Sequence, residues 1–235
     1  MLTAVALYGA YAFRVSQMDA KGVDVNLLSP YTFSGLLYGA MLPYAFSALT
    51  INAVNRVAEE FVSEYRDQTP NINKKVAGYP NHEKCITRLT NCSFTYWVAP
   101  TSIIILSPIC WGVLLGFRFV SGMIVGSIMA GIQIGISSTN SGGAWINAKK
   151  YVQHGNLSRP AEFIKEEGKI VVVEGDTEYR AASTCSTIGN PLLDSTGPSI
   201  NILIKGLSCV ALVFGTFIIK FGGQVGGGIY HGRYN

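Results

Sequence analysis

INILIKGLSCVALVFGTFIIKF, Ile200 to Phe221, is the stretch that decides the fold. Wound as a helix at about 1.5 Å per residue it reaches roughly 33 Å, enough to cross the ~30 Å of bilayer hydrocarbon. It carries no acidic residue, and its two charges are Lys205 and Lys220. Lys220 sits at the end of the run, but Lys205 lies roughly 7–8 Å inside it. An ammonium there must snorkel to the interface or meet a partner.

Three more runs of the same kind lie upstream: Phe33 to Val54, Tyr96 to Phe117 and Phe119 to Ser138. None contains Asp or Glu, so the chain supplies no acid within the spans to meet Lys205. A fifth apolar run, Leu2 to Phe13, reaches only about 18 Å. Arg14 follows it directly, with no small-x-small cleavage pattern, so it reads as half a span, an interfacial helix or the stump of a longer one. With 49% hydrophobic and 14% charged residues the whole chain is too apolar for an ordinary soluble domain. The expected fold class is an all-α membrane protein. It has about four transmembrane helices (33–54, 96–117, 119–138, 200–221) and a truncated N-terminal helix at 1–14, in a single membrane domain over 1–235.

The polar segments set the orientation. Arg118 stands in a hairpin of very few residues, which makes its flanking spans antiparallel neighbours and puts segments 55–95 and 139–199 on the same side. Those segments hold twelve Lys and Arg residues, against five at the ends and in the hairpin. The positive-inside bias then predicts the long segments on the cytoplasmic or matrix side and the C-terminus opposite. Within the first segment Val54, Val57, Ala58, Phe61, Val62 and Tyr65 form an apolar stripe opposite Glu59, Glu60 and Glu64. That pattern predicts an amphipathic helix ending at Pro70.

Gly122, Gly126 and Ala130 recur every four residues, as do Gly131 and Gly135, and this spacing predicts close backbone approach between helices in lipid. The tail, 222–235, is glycine-rich without a phosphate-loop lysine and reads as flexible. Five cysteines without a C-x-x-C pair or nearby histidines indicate reduced or lipid-facing thiols, neither a zinc site nor a disulfide framework. A net charge of +4 without a basic run interleaved with aromatics excludes nucleic acid as a partner. The expected partners are other membrane subunits and lipid.

Three passages carry a further signal: YGAMLPYAFSALTINAV at 38–54, SSTNSGGAWINAKKYV at 137–152 and STIGNPLLDSTGPSINILIK at 186–205. Together and in this order they resemble the C-terminal part of the membrane-bound, ion-translocating inorganic pyrophosphatases. The resemblance implies that the chain matches the last helices of a sixteen-helix pump, from the end of the twelfth onward. Such pumps hold diphosphate through several magnesium ions bound by aspartates, with lysines on the remaining phosphate oxygens. This sequence departs from that pattern. Ile146, Ser186 and Asn190 stand where the family has aspartates, and Leu193 stands where it has a lysine. Asn147, Lys149, Lys150 and Asp194 match the family and, with Asn190, form the remnant of the diphosphate site. Lys205 matches a lysine of the pumps' ion gate.

Positions 186, 190 and 194 are spaced to share one helical face, which would let three carboxylates converge; here that face reads Ser, Asn, Asp. Loss of the acids leaves no catalytic residue, no metal ligand set and no cofactor to expect, although the family uses Mg2+. The bland readings are structural. Thr196-Gly197-Pro198 is a helix start with proline in the first turn. Asn147 and Asn201 satisfy neighbouring groups, and Lys149 and Lys150 anchor in the headgroup region. Gly175-Asp176-Thr177 reads GDT but lies too far before Gly189 to restore the family spacing.

The expected function is a catalytically inactive pyrophosphatase-like subunit, a structural or accessory component of a larger membrane complex. The alternative is the C-terminal half of a split proton-translocating pyrophosphatase, hydrolysing diphosphate only together with another chain. The protein is expected to be integral to a membrane, with the mitochondrial inner, a vacuolar-type and the plastid membrane all open.

Overall fold

The structure is a computed structural model that describes residues 2–18, 27–73, 81–159, 170–171 and 176–222. In chain order these form α1 (Leu2–Met18), α2 (Pro30–Asn73), α3 (His82–Leu115), α4 (Phe117–Gln153), β1 (Ser158–Arg159), β2 (Ile170–Val171), α5 (Thr177–Asn190), a π-helical turn (Pro191–Thr196) and α6 (Gly197–Phe221). Apart from the two-residue antiparallel pair β1–β2, in register Ser158 to Val171, the described fold is helical. Four helical runs are long and apolar enough to cross a membrane: Pro30–Thr69, His82–Leu115, Phe117–Gln153 and Thr177–Phe221. The all-α membrane class expected from sequence is therefore the class observed. The tail at 223–235 and Gly175 of the GDT string lie outside the described residues.

Several expected boundaries move. α1 runs through Arg14 to Met18, 17 residues or about 26 Å, because Ala4, Tyr11 and Val15 bury one helical stripe that extends past the apolar run. α2 continues beyond Pro70 to Asn73, so the lost N–H removes one bond without ending the helix. The hairpin turn between spans lies at Gly116, not Arg118, and is one residue long. Gly116 adopts φ 83°, a conformation L side chains rarely accept, while its N–H bonds Gly112 O at 3.0 Å. Gly116→Ala is expected to lower stability by about 1 kcal/mol or more, measured as a lower midpoint of unfolding in detergent.

Two compact units emerge, Met1–Gln133 with Ser199–Asn235, and Ile134–Pro198. In the first, α2 and α4 run side by side in the same direction through a seam of glycines. A methyl group added at Gly35 or Gly39 would fall on the carbonyls of Phe119 or Met123, and one at Gly122 or Gly126 on those of Thr32 or Leu36. Ser127 Oγ crosses the same seam to Gly39 O at 2.9 Å. The expected Gly122–Gly126 packing is thus present, matched by Gly35–Gly39 on the partner helix. Gly131 meets Ile204 and Ile200 side chains instead, and a methyl at Gly135 would touch nothing within 4 Å, so that pair forms no second seam.

α3 runs antiparallel to both α2 and α4. Tyr38 meets Trp111 edge-on at 5.2 Å and Ser107 Oγ at 3.1 Å, and Trp111 packs on Phe119 at 5.4 Å. Around these contacts Leu42, Phe46, Val120, Met123, Ile124, Leu203, Ile204, Leu207 and Ile218 close the core. Pro100 and Pro108 lie inside α3 and are buried; such prolines are tolerated in spanning helices where neighbouring groups satisfy the freed backbone carbonyls.

The second unit is an antiparallel pair. The C-terminal part of α4 packs on α5 and the π-helical turn, with Gly142 and Gly189 at the closest point. A methyl on Gly142 would lie 2.5 Å from Gly189 O and 2.9 Å from Leu193 N. Further along, Gln153 Nε2 donates to Tyr179 OH at 3.2 Å.

Candidate functional site

The residues carried over from the family motifs lie on the facing elements of this second unit. Ile146, Asn147, Lys149 and Lys150 sit on α4, Ser186 and Asn190 on α5, and Leu193 and Asp194 in the π-helical turn. Ser186 is buried, whereas Asn190 and Asp194 are exposed and Leu193 is half-buried. The 186/190/194 stripe therefore does not face one environment. What meets α4 is Gly189 with Leu193, as the Gly142 contacts show.

Beyond Asn190 the α-helical register itself gives way to the π-helical turn. Pro191 cannot donate to the residue a turn before it, nor can Pro198, and between them the Gly197 N–H reaches back five residues to Leu192 O. The wider turn breaks the four-residue repeat between Asn190 and Asp194. α6 starts at Gly197 with Pro198 in its first turn, as expected, but it follows directly on the π-helical turn and no loop precedes it. Gly197 is helical at φ −56° and ψ −57°, and Thr177 to Phe221 forms one continuous helical run.

On α4, Ile146 and Lys149 are half-buried, and Asn147 and Lys150 are exposed. Asn147 makes no side-chain hydrogen bond among the described residues, so it does not satisfy a buried neighbour as expected. Lys150 lies in the last turn of α4, where a cation is favoured by the helix dipole. Of the GDT string, Asp176 stands at the N-cap position of α5 without a side-chain capping bond, its carboxylate at the helix N-terminus where the dipole favours an anion, and Thr177 is the first helical residue.

In the first unit Lys205 is half-buried, with no ion pair among the described residues. Asn201, one turn earlier on α6, has a buried Oδ1 with no hydrogen-bond partner there, contrary to the expectation that it satisfies a neighbour. All five cysteines are free, and Cys110, Cys185 and Cys209 are exposed.

A magnesium ion in a phosphate site is held by oxygen ligands, with one or two carboxylates per ion beside the phosphates. Among the carried-over positions Asp194 alone offers a carboxylate, and among the described residues no three His, Cys, Asp or Glu converge. That donor set does not fit the several magnesium ions of the family site.

The strongest electrostatic feature lies elsewhere and was missed by the sequence reading. Glu64 of α2 is 1% exposed. It accepts from Gln68 Nε2 and Lys84 Nζ, both at 2.8 Å, and from Arg88 Nη1 at 2.6 Å. Arg88 Nε also bonds Glu60 Oε2 at 2.8 Å, and Gln68 Oε1 accepts from Asn81 N at 2.8 Å. The hydrogen bonds from Gln68, Lys84 and Arg88 hold the Glu64 carboxyl down at about 2, well below its ordinary 4.5. Gln68 lies one turn on in the same helix, but Lys84 and Arg88 stand in α3, Arg88 24 residues from Glu64, and no helical periodicity pairs them with it.

Comparison with known proteins agrees with the motifs. The sequence profile described as inorganic H+ pyrophosphatase matches residues 1–214. The K(+)-stimulated pyrophosphate-energized sodium pump of Thermotoga maritima is 34% identical over 223 residues, covering 91% of this chain and 29% of the relative. The K(+)-insensitive pyrophosphate-energized proton pump of Methanosarcina mazei is 33% identical over 223 residues, covering 94% and 31%. That of Chloroflexus aurantiacus is 32% identical over 233 residues, covering 93% and 28%. The chain thus spans less than a third of the length of these curated relatives. With the profile match running through nearly all of its helices, the chain belongs to the inorganic H+ pyrophosphatase family.

Proposed function

We propose that this chain is a catalytically inactive pyrophosphatase-like membrane subunit, serving as a structural or accessory component of a larger membrane complex. One observation carries the reading: Ile146, Ser186, Asn190 and Leu193 occupy the positions where the family resemblance puts three aspartates and a lysine. Disturbing even an outer ligand of a metal site typically costs about 10 to 100-fold in affinity or activity, and here three direct oxygen ligands and a phosphate-binding cation are replaced. The glycines that let helices meet, Gly35, Gly39, Gly122, Gly126, Gly142 and Gly189, are all in use. Packing is retained where charge is not.

Reconstituted in liposomes with diphosphate and magnesium, the chain is expected to release phosphate at the background rate. Asp194→Asn should leave that rate within about twofold, since one carboxylate holds no metal cage. Turnover by the unaltered chain would overturn the proposal. Extraction in mild detergent is expected to bring down other membrane polypeptides in fixed stoichiometry, identified by mass spectrometry.

A second reading, one half of a split ion-translocating pyrophosphatase, draws support from the exposure of Asn147, Lys150, Asn190 and Asp194, which leaves them accessible to another chain. It requires that chain to bring every missing carboxylate. Magnesium-dependent phosphate release by a co-purified complex, lost in Asp194→Asn, would establish it in place of the first.

A further inference from the structure

α2 is held by different means at its two ends. It is 44 residues long, about 66 Å, more than twice the hydrocarbon thickness. Its second part, from Arg56 to Asp67, carries six charged residues and so lies outside the membrane. There it is joined to the first part of α3 through charge: Arg88 holds Glu60 and Glu64, Lys84 holds Glu64, and Gln68 Oε1 accepts the N–H of Asn81, the N-cap of α3. Its first part is fixed backbone against backbone, where Gly35 and Gly39 meet the Phe119 and Met123 carbonyls of α4.

Between these ends the backbone ladder is interrupted in both helices. Pro43 lies inside α2 and has no N–H for the Gly39 carbonyl, which its ring also crowds. Pro100 and Pro108 do the same to Tyr96 O and Ile104 O in α3. The pairing of Tyr38 with Ser107 and of Glu64 with Arg88 puts Pro43 at a level between Pro100 and Pro108. Sharp bends in helices concentrate at proline, so the antiparallel pair has one weak section common to both members.

Ser127 closes that section. Its Oγ donates to Gly39 O at 2.9 Å, the acceptor that Pro43 leaves without its ladder donor. A bond within α2 is thereby replaced by a side-chain bond from α4, which can open without unwinding the helix. One residue past Pro43, Tyr44 OH donates to Gln133 Oε1 of α4 at 2.7 Å. Among the described residues, the side-chain bonds of α2 beyond Tyr44 stay within α2 or go to α3 and its N-cap.

We propose that the ion-paired parts of α2 and α3 form one arm that swings on a proline hinge at Pro43, Pro100 and Pro108, with Ser127 and Tyr44 as its two latches to α4. With both latches made, Gly39 O is satisfied and the arm continues the line of the spanning helices. When they open, the crowded Gly39 carbonyl is free to tilt away from the Pro43 ring, and α2 bends there. Glycine at position 39, with no side chain to resist the turn, favours the same place. The arm moves as a unit because Arg88 and Lys84 bind it across both helices, on the far side of the hinge from the glycine seam. The hinge is a property of the packing and holds whether the chain is silent or half of a split enzyme.

The test is the distance distribution between paired spin labels in the full chain in lipid nanodiscs, the labels introduced as unnatural amino acids so that the native cysteines remain. A pair at Met129 and Tyr65 crosses the hinge, and a pair at Met129 and Leu114 lies to one side of it; all three positions are exposed. In the unaltered chain the Met129–Tyr65 distribution is expected to be the broader. Ser127→Ala should widen it at least about twofold and leave Met129–Leu114 unchanged. Tyr44→Phe, at an exposed position where folding is not at risk, should widen it by a smaller amount. Pro43→Ala returns an N–H to Gly39 O, so it should narrow the distribution and make Ser127→Ala silent when the two are combined. A Met129–Tyr65 distribution as narrow as the reference in the unaltered chain and in both latch variants would overturn the proposal. So would equal widening of both pairs, which marks general loosening, or an effect of Ser127→Ala that persists in full beside Pro43→Ala.

Discussion

Gly39→Leu is expected to prevent the first unit from reaching its native packing. The Cβ alone would fall on the Met123 carbonyl, with Met123 Cα 2.7 Å away, and the obstacle is backbone of a helix that is itself packed. Overfilling a core usually costs about 1–3 kcal/mol by displacing side chains. Here no side chain can yield, so α2 and α4 must separate, and Ser127 Oγ loses its buried bond to Gly39 O. The cost should lie at or above the top of that range. It would be read as loss of a monodisperse species in detergent or a large fall in the unfolding midpoint. Gly135→Ala supplies the contrast. Its added methyl meets nothing within 4 Å, and alanine is favoured over glycine in a helix by roughly 0.5–1 kcal/mol, so stability should be unchanged or rise. Equal losses in both variants would contradict the seam.

Glu64→Gln is expected to loosen the extension that the second part of α2 and the first part of α3 form together beyond their apolar runs, because one neutral amide cannot receive the bonds that Gln68, Lys84 and Arg88 now give. Cys85, whose Sγ lies 3.5 Å from Gln68 Nε2 and which is half-buried, reports on this locally. Its alkylation should become about tenfold faster, with the exposed Cys110, Cys185 and Cys209 unchanged. The acid dependence has a definite sign. The carboxyl is held at about 2 in the folded protein against an ordinary 4.5, so its contribution is complete above pH 4.5 and is lost as pH falls from 4.5 toward 2. Amide exchange in the extension should accelerate across that window in the unaltered protein. In Glu64→Gln the same window should be flat, and a parallel pH response in both would show that another group is responsible.

Much of the architecture was legible in the residues. Ile200–Phe221 and its three companions are spans because uninterrupted apolar runs of that length have few other stable environments. The Gly122–Gly126 repeat announced a close contact, and its counterpart Gly35–Gly39 carried the same spacing and was overlooked. That Ile146, Ser186, Asn190 and Leu193 supply no carboxylate or ammonium was legible too, since it holds in any fold. Less visible was the path of the backbone between two prolines. A four-residue repeat implies one helical face only while the helix stays α, and the π-helical turn at Pro191–Thr196 takes Asp194 out of the α-helical register that Ser186 and Asn190 share.

The sequence by itself determined that the protein is helical and lives in a membrane, and which ionisable groups stand at the positions matched to the family motifs. These are properties of composition and local order, set by transfer free energy and by covalent chemistry. The tertiary structure alone decided which way the α2 extension turns. Taken singly, its stripe of Val54, Phe61, Val62 and Tyr65 opposite three glutamates marks an amphipathic helix and leaves open which side α3 covers. Arg88 and Lys84 of α3 make that choice, because a carboxylate given three short, charge-assisted bonds can be buried, and such partners are found only when distant parts of the chain come together.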